Sequence, residues 1–198
     1  DFNELKFFLN EKKYKCLELG CGNGALYSVA KDYFSNYTGV DFSTSNIEIF
    51  KNNYPKLNLI CKDIIKFRPK RRYSLIHSNQ LIQYLNKNQL KELIKWNVDN
   101  IEKGGLILHR QIPDEKLMSL YFSGYLKPNI NSVKLKRIML PTLYRLYCLY
   151  KKTISSYSDF GFWYSVDDIL KICNELNVKF DIYGSKLYRY RFNLLIRG

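Results

Sequence analysis

A chain of 198 residues, 46% of them hydrophobic, is the size of one domain with room for an insertion and can bury a full core. No stretch reaches the roughly 18 apolar residues that a membrane-crossing helix needs, and no secretory leader is visible, although the chain opens on Asp1 rather than Met. The five cysteines (Cys16, Cys21, Cys61, Cys148, Cys173) are odd in number and hold no C-x-x-C pair, which argues against a disulfide scaffold or zinc site and for reduced thiols in a cytoplasm. The formal charge of +14 has two readings. One is an anionic partner; the other is the Lys-, Asn-, Ile- and Tyr-rich usage of an AT-rich genome.

In chain order, residues 2–9 carry apolar side chains at helical spacing and predict a helix packed on a sheet edge. Residues 16–19 are a short apolar run, read as a buried strand. Gly20, Gly22 and Gly24 follow, and residues 25–30 then resume an apolar helical period. Alternating glycines suit a sharp strand-to-helix turn and leave the backbone open to a ligand, with free N–H groups at the helix start beyond. Dinucleotide sites use G-x-G-x-x-G; here the spacing is G-x-G-x-G, and Glu18 precedes it. A carboxylate there would repel a pyrophosphate and suit an ammonium or sulfonium. Residues 37–41 read as a second strand ending in Asp41, an acid about 20 residues past the glycines and so placed to accept ribose hydroxyls. A nucleoside with a cationic, phosphate-free tail meets both demands, which describes S-adenosylmethionine.

Ser43 caps a helix that runs to Tyr54 and is stopped by Pro55, and residues 57–61 form a third strand. The basic run 66–72 leads into strand four, residues 73–79. It therefore belongs on the edge away from the ligand, as a solvated loop or a remote anion contact. Residues 89–101 form an amphipathic helix with Leu90, Leu93, Ile94 and Val98 on one face. Strand five follows at 106–112, ending at Pro113. From Ser119 to Ser158 there is no acid, while Lys127, Lys134, Lys136, Arg137, Arg145, Lys151 and Lys152 alternate with tyrosines that include Tyr121, Tyr125 and Tyr144. Residues 113–164 read as an insertion within a single domain spanning 1–198, with a helix over 142–154. Leaving the end of strand five, the insertion would stand over the ligand as a lid able to clamp phosphate or carboxylate. Ser165 caps the last helix, and residues 178–183 and 190–196 read as a hairpin.

These segments resemble the class I S-adenosylmethionine-dependent methyltransferases. Residues 18–24 look like their E-x-G-x-G-x-G motif, Asp41 the acid ending their second strand, and Phe42 the residue after it that flanks adenine. Residues 61–64 resemble the segment contacting the adenine edge, residues 73–79 the fourth strand, and residues 103–108 the glycine-led fifth. The resemblance covers the chain apart from 113–164. It implies an α/β, Rossmann-like seven-stranded sheet, mostly parallel with an antiparallel C-terminal hairpin, helices on both faces and a helical insertion after strand five. It also implies S-adenosylmethionine as donor, S-adenosylhomocysteine as product, and a donor site built from Glu18, Gly20, Cys21, Gly22, Asp41, Phe42, Asp63, Ile64, Ser78 and Asn79.

Family members that methylate nucleobase amines usually carry (Asp/Asn)-Pro-Pro-aromatic where this chain has Ser78-Asn79-Gln80-Leu81, which argues against adenine methylation. Small-molecule members carry a Glu-His pair near Gln83 and Tyr84; the Gln-Tyr here departs from the pair that would supply an inherited base. The donor's methyl is already activated; the protein must hold a nucleophile in line and, for a hydroxyl, remove its proton. His109 is the candidate base, with Arg110 steering an anion, Tyr84 as a further catalytic candidate, and Tyr121, Tyr125 and Arg145 binding the acceptor. His77 reads as a satisfied strand histidine. No Asp/Glu/His cluster is evident, so magnesium-dependent chemistry is not expected. The expected activity is cytoplasmic, bacterial O-methylation of a small anionic acceptor, such as a phosphorylated sugar or a capsule or surface-polysaccharide precursor. The alternatives are an RNA methyltransferase, suggested by the basic-aromatic interleaving, and a non-catalytic donor-binding partner subunit.

Overall fold

A computed structural model describes residues 2–9, 13–122, 126, 157–158 and 161–198. The expected sheet is present: strands β1 (Tyr14–Leu19), β2 (Phe34–Asp41), β3 (Asn58–Cys61), β4 (Tyr73–Asn79) and β5 (Ile101–Pro113) run parallel, and β8 (Lys179–Gly184) and β9 (Arg191–Arg197) close the far edge antiparallel. Strand order is β3-β2-β1-β4-β5-β9-β8, and a two-stranded ribbon, β6 (Tyr157–Ser158) with β7 (Gly161–Phe162), lies apart from it. The chain steps outward from β1 through β2 and β3 and then returns to β4 on β1's other side. The carboxyl ends of β1 and β4 therefore flank the point where the winding reverses, the usual ligand crevice of an open α/β sheet.

Helices cover both faces, and alternate residues of each strand divide between them. Leu17, Leu19, Ile76 and Ile107 pack with Leu90, Leu93 and Ile94 of α4 (Lys87–Asn100) and with Ile169 and Ile172 of α6 (Val166–Glu175). Cys16, Leu75 and Leu108 instead meet Leu5 of α1 (Phe2–Lys6), Ala30 of α2 (Ala25–Ala30), and Ile47 and Phe50 of α3 (Thr44–Asn53). A short helix α5 (Met118–Phe122) follows β5. Polar starts define the long helices: Asn86 and Gln89 form a capping box on α4, Ser165 and Asp168 one on α6, and Ser43 accepts from the Asn46 amide to start α3.

The N-terminal helix is shorter than the spacing predicts, ending at Lys6, and β5 is longer, beginning at Ile101. Near its end β5 breaks register between His109 and Ile112, and Gln111 takes φ +62°. The basic run is partly structural: Arg71 donates to Asn36 Oδ1 at 2.6 Å and Thr38 Oγ1 at 2.8 Å, pinning the loop to β2. Of the insertion, the helix expected over 142–154, Tyr125 and Arg145 lie outside the described residues. Among the described residues no helix is long and apolar enough to cross a membrane.

Candidate functional site

Pairing aligns the strand ends. Leu19 sits opposite Val40 and Ser78, and Asp41 opposite Cys61, so Asn79, Gly20, Asp41 and Cys61 form one row along the carboxyl edge. At about 4.8 Å per strand the row is about 14 Å wide. The glycine turn is held against β2 by the Gly20 and Cys21 amides, both donating to Val40 O at 2.8 and 3.1 Å. Gly22 has φ +54°, and a Cβ built on it would meet no heavy atom within 4 Å; the turn presents bare backbone to open space. Gly24 is different. At φ +88° its Cβ would fall 2.4 Å from the Phe50 ring, so this glycine serves packing against α3.

Asp41 is held by the turn it serves. Its Oδ2 accepts from Gly22 N and its Oδ1 from Ser43 N, each at 2.9 Å, leaving each oxygen a further acceptor position. Phe42 beside it is 79% exposed. Asp63 is exposed at the rim, where its Oδ1 accepts from the Ile65 amide. Asn79 is half-buried at the end of β4, and Gln80 after it takes φ +56°, a backbone strain adjoining the row.

Other side chains expected at the donor are enclosed. Glu18 is 3% exposed; Tyr37 hydroxyl donates to it and His77 Nδ1 lies 3.7 Å away, so its carboxylate organises the core behind the turn and does not face an ammonium. Cys21 is buried, its thiol pushed up by burial and by the carboxylates of Glu18 and Asp41. Ile64 packs its side chain into the α4-side core. Ser78 Oγ is bonded to His109 Nδ1 at 2.8 Å within that same layer. For Cys21 and Ile64 only the backbone is left to meet a ligand.

The catalytic expectations are corrected more strongly. His109 is fully buried with both nitrogens engaged, Nδ1 by Ser78 and Nε2 by Asn97 Nδ2 at 3.0 Å, and burial with His77 nearby pushes its pKa down to about 3. It offers no face to an acceptor. Arg110 points to the opposite layer, where Nη2 donates to Glu4 Oε2 at 2.7 Å. His77 is also fully buried, and burial lowers its pKa against the opposing pull of Glu18. Tyr84 remains exposed, at the rim of a cavity.

Glu4 was invisible to a local reading of the sequence. Its carboxylate gathers Arg110, Gln111 Nε2 at 2.7 Å, Asn193 Nδ2 at 3.1 Å and the Lys186 amide at 2.9 Å, tying α1 to β5, β9 and the β8–β9 connection. Burial alone would raise this carboxyl, but those bonds hold it below its ordinary value. The same bonds grip the strained Gln111, whose amide donates to Asn193 Oδ1 at 3.0 Å.

Beyond the ends of β4 and β5 lies a cavity of about 200 Å³, lined by Gln83, Tyr84, Pro113, Tyr121, Trp163, Tyr190 and Arg191. Tyr121, expected to bind the acceptor, is there; its ring stands 4.4 Å from that of Tyr190 and 5.5 Å from that of Trp163. Arg191 donates to Gln111 O and, at 3.0 Å, to Gln83 Oε1. Tyr190 and Arg191 were read only as part of a strand, and Trp163 only as part of the 113–164 insertion, with no role of its own. The alternation Tyr188-Arg189-Tyr190-Arg191 repeats the basic-aromatic pattern noted in the insertion and was the available signal.

The family model described as a methyltransferase domain matches residues 2–159. Among curated proteins, malonyl-[acyl-carrier protein] O-methyltransferase 2 of Ilyobacter polytropus is 35% identical over 107 residues, covering 50% of this chain and 39% of that protein. Malonyl-[acyl-carrier protein] O-methyltransferase of Bacillus anthracis is 29% identical over 113 residues, covering 55% of this chain and 41% of the relative. The matched part thus spans about two-fifths of these relatives' length. Two solved S-adenosylmethionine-dependent methyltransferases share the fold. That of Clostridium acetobutylicum aligns with TM-score 0.67 at 17% identity, over 98% of this chain and 87% of the other. That of Mesorhizobium loti aligns with TM-score 0.65 at 16% identity, over 99% and 96%.

Proposed function

The chain belongs to the methyltransferase domain family, within the class I S-adenosylmethionine-dependent methyltransferases, and from that premise we propose that it methylates an oxygen of an anionic acceptor, a carboxylate in the first instance. One observation carries the choice of acceptor. The expected base, His109, is sealed between Ser78 and Asn97, and the other histidine, His77, is fully buried as well. A hydroxyl acceptor would need a base; a carboxylate does not. The relatives named for malonyl-[acyl-carrier protein] O-methylation support the same class, because a malonyl group ends in a free carboxylate. A phosphorylated sugar, expected from charge, draws no support from them.

The residues fit the donor. S-adenosylmethionine, when bound, supplies an activated sulfonium methyl. Gly22 leaves the backbone approachable, and Asp41, oriented by the Gly22 and Ser43 amides, keeps acceptor positions for ribose hydroxyls. Phe42 and Asp63 at the rim would flank the adenine, and Asn79 closes the β4 side of the row. An acceptor oxygen forms the new O–CH₃ bond while the S–CH₃ bond breaks. The electron pair stays on sulfur, and no proton moves. What remains for the protein is to hold donor and acceptor in line.

The test is transfer of labelled methyl from S-adenosylmethionine to malonyl-N-acetylcysteamine, glucose 6-phosphate and bulk RNA in parallel. Ester formation on the malonyl thioester is expected. Label appearing only on the sugar phosphate or the RNA would overturn the acceptor class.

A further inference from the structure

We propose that the cavity walled by Tyr121, Trp163 and Tyr190 is the acceptor site, and that Arg191 selects a monoanionic carboxylate there; this rests on the methyltransferase reading above. The cavity is in the right place. A Cβ on Gly20 would lie 3.1 Å from Leu81 Cδ1, so Leu81 is seated on the donor turn. Gln83, two residues on, lines the cavity. Two residues of chain span at most about 7 Å. Pro113, the last residue of β5, forms another part of the wall.

Its chemistry is narrow. Four aromatic residues line it, Tyr84, Tyr121, Trp163 and Tyr190, and the ring faces of the last three, packed on one another, suit a short acyl or planar group. Among the described residues that line it there is one cation, Arg191, and no acid. The guanidinium is fixed in place: its terminal nitrogens donate to the neutral oxygens of Gln111 and Gln83, and the Tyr190 and Tyr188 rings lie 5.1 and 5.8 Å from its centre. Neutral acceptors orient the fork without cancelling its charge, and of its five N–H donors these two bonds use two. A pre-set guanidinium with unspent donors matches a carboxylate. One positive charge balances a monoanion and leaves a dianionic phosphate half-compensated. Methylation then removes the acceptor's charge, so the neutral ester loses its hold on Arg191 and can leave.

Trp163 in the wall gives a readout that needs no turnover. Fluorescence titration would compare malonyl-N-acetylcysteamine with its methyl ester and with glucose 6-phosphate, using Trp163→Phe to assign the signal. The wild type is expected to bind the free acid at least ten-fold more tightly than the ester. Arg191→Gln should bring that ratio near one while S-adenosylhomocysteine affinity, measured by calorimetry on the same samples, stays unchanged. Equal binding of acid and ester by the wild type would overturn the inference, and so would tighter binding of the sugar phosphate. The wild-type comparison stands even if Arg191→Gln misfolds. Should S-adenosylhomocysteine itself fail to bind, the donor reading falls; should it bind while acid and ester do not differ, only the cavity assignment falls.

Discussion

The two halves of the carboxyl edge are built on different principles. On the donor half, at the ends of β1 and β2, the groups left open to a ligand are mostly backbone, set by short-range features: a glycine turn, an acid at a strand end, a Ser cap. The acceptor half lies at the carboxyl ends of β4 and β5 and the start of β9. There two of the polar residues that look catalytic in the sequence are consumed by the fold, while Tyr84 stays exposed. Arg110 holds Glu4, and His109 joins Ser78 to Asn97. The groups left to face an acceptor are an arginine and aromatic rings brought from positions as distant as Tyr84 and Arg191. A donor shared across a family can be met by local geometry. An acceptor peculiar to one enzyme is met by long-range assembly.

The sharpest way to break this contrast is Glu4→Ala. It leaves Arg110 buried without its carboxylate and frees the strained Gln111, so the acceptor half should loosen at a cost of about 3–5 kcal/mol of folding stability, read by urea unfolding. A loss under about 1 kcal/mol would mean that the Glu4 cluster does not hold this edge together.

The glycines sharpen the comparison from the donor side. Gly24→Ala should cost on the order of 3 kcal/mol, from left-handed backbone strain plus overpacking against Phe50. Gly22→Ala meets no neighbour and should cost only about 1–2 kcal/mol, yet weaken donor binding at least ten-fold by narrowing the approach to the backbone. Thermal melts and calorimetry on the pair separate packing from ligand approach. If both variants lost stability equally, the turn would be scaffold throughout.

Acid should act through the buried histidines. The folded pKa of His109 lies near 3, below the ordinary value of 6.5, and that of His77 is also lowered, so the unfolded chain takes up protons first. Their contribution is fully present above about pH 6.5 and is lost as pH falls toward 3. Between pH 6.5 and 5, where carboxylates scarcely titrate, unfolding free energy should fall by about 1.4 kcal/mol per pH unit for each proton taken up. A flat profile there would show that His109 is not held neutral inside the fold.

Much of the architecture could be read from residue patterns. Apolar runs, glycine punctuation and Ser or Asn caps are local, and the seven-stranded, mostly parallel sheet with its antiparallel hairpin followed from the resemblance they carried. On the donor half Gly22 and Asp41 stand where spacing placed them. Glu18 and Ser78 were misjudged for a physical reason: position in a strand tells which end a residue is near, but which face it points to decides whether it meets ligand or core. His109 and Arg110, adjacent in β5, point to opposite layers, and each found a buried partner there. Glu4 could not be recognised because its partners are more than a hundred residues away in sequence. Arg191 was hidden inside a segment whose strand pattern explained it fully.

The central claim is the donor site, and isothermal titration with S-adenosylhomocysteine on the wild type and on Asp41→Ala tests it most directly. Binding by the wild type, weakened at least ten-fold in the variant while its melting temperature stays close to the parent's, is the predicted result. A wild type that binds no S-adenosylhomocysteine, or an Asp41→Ala variant that binds it as well as the parent, would contradict the account.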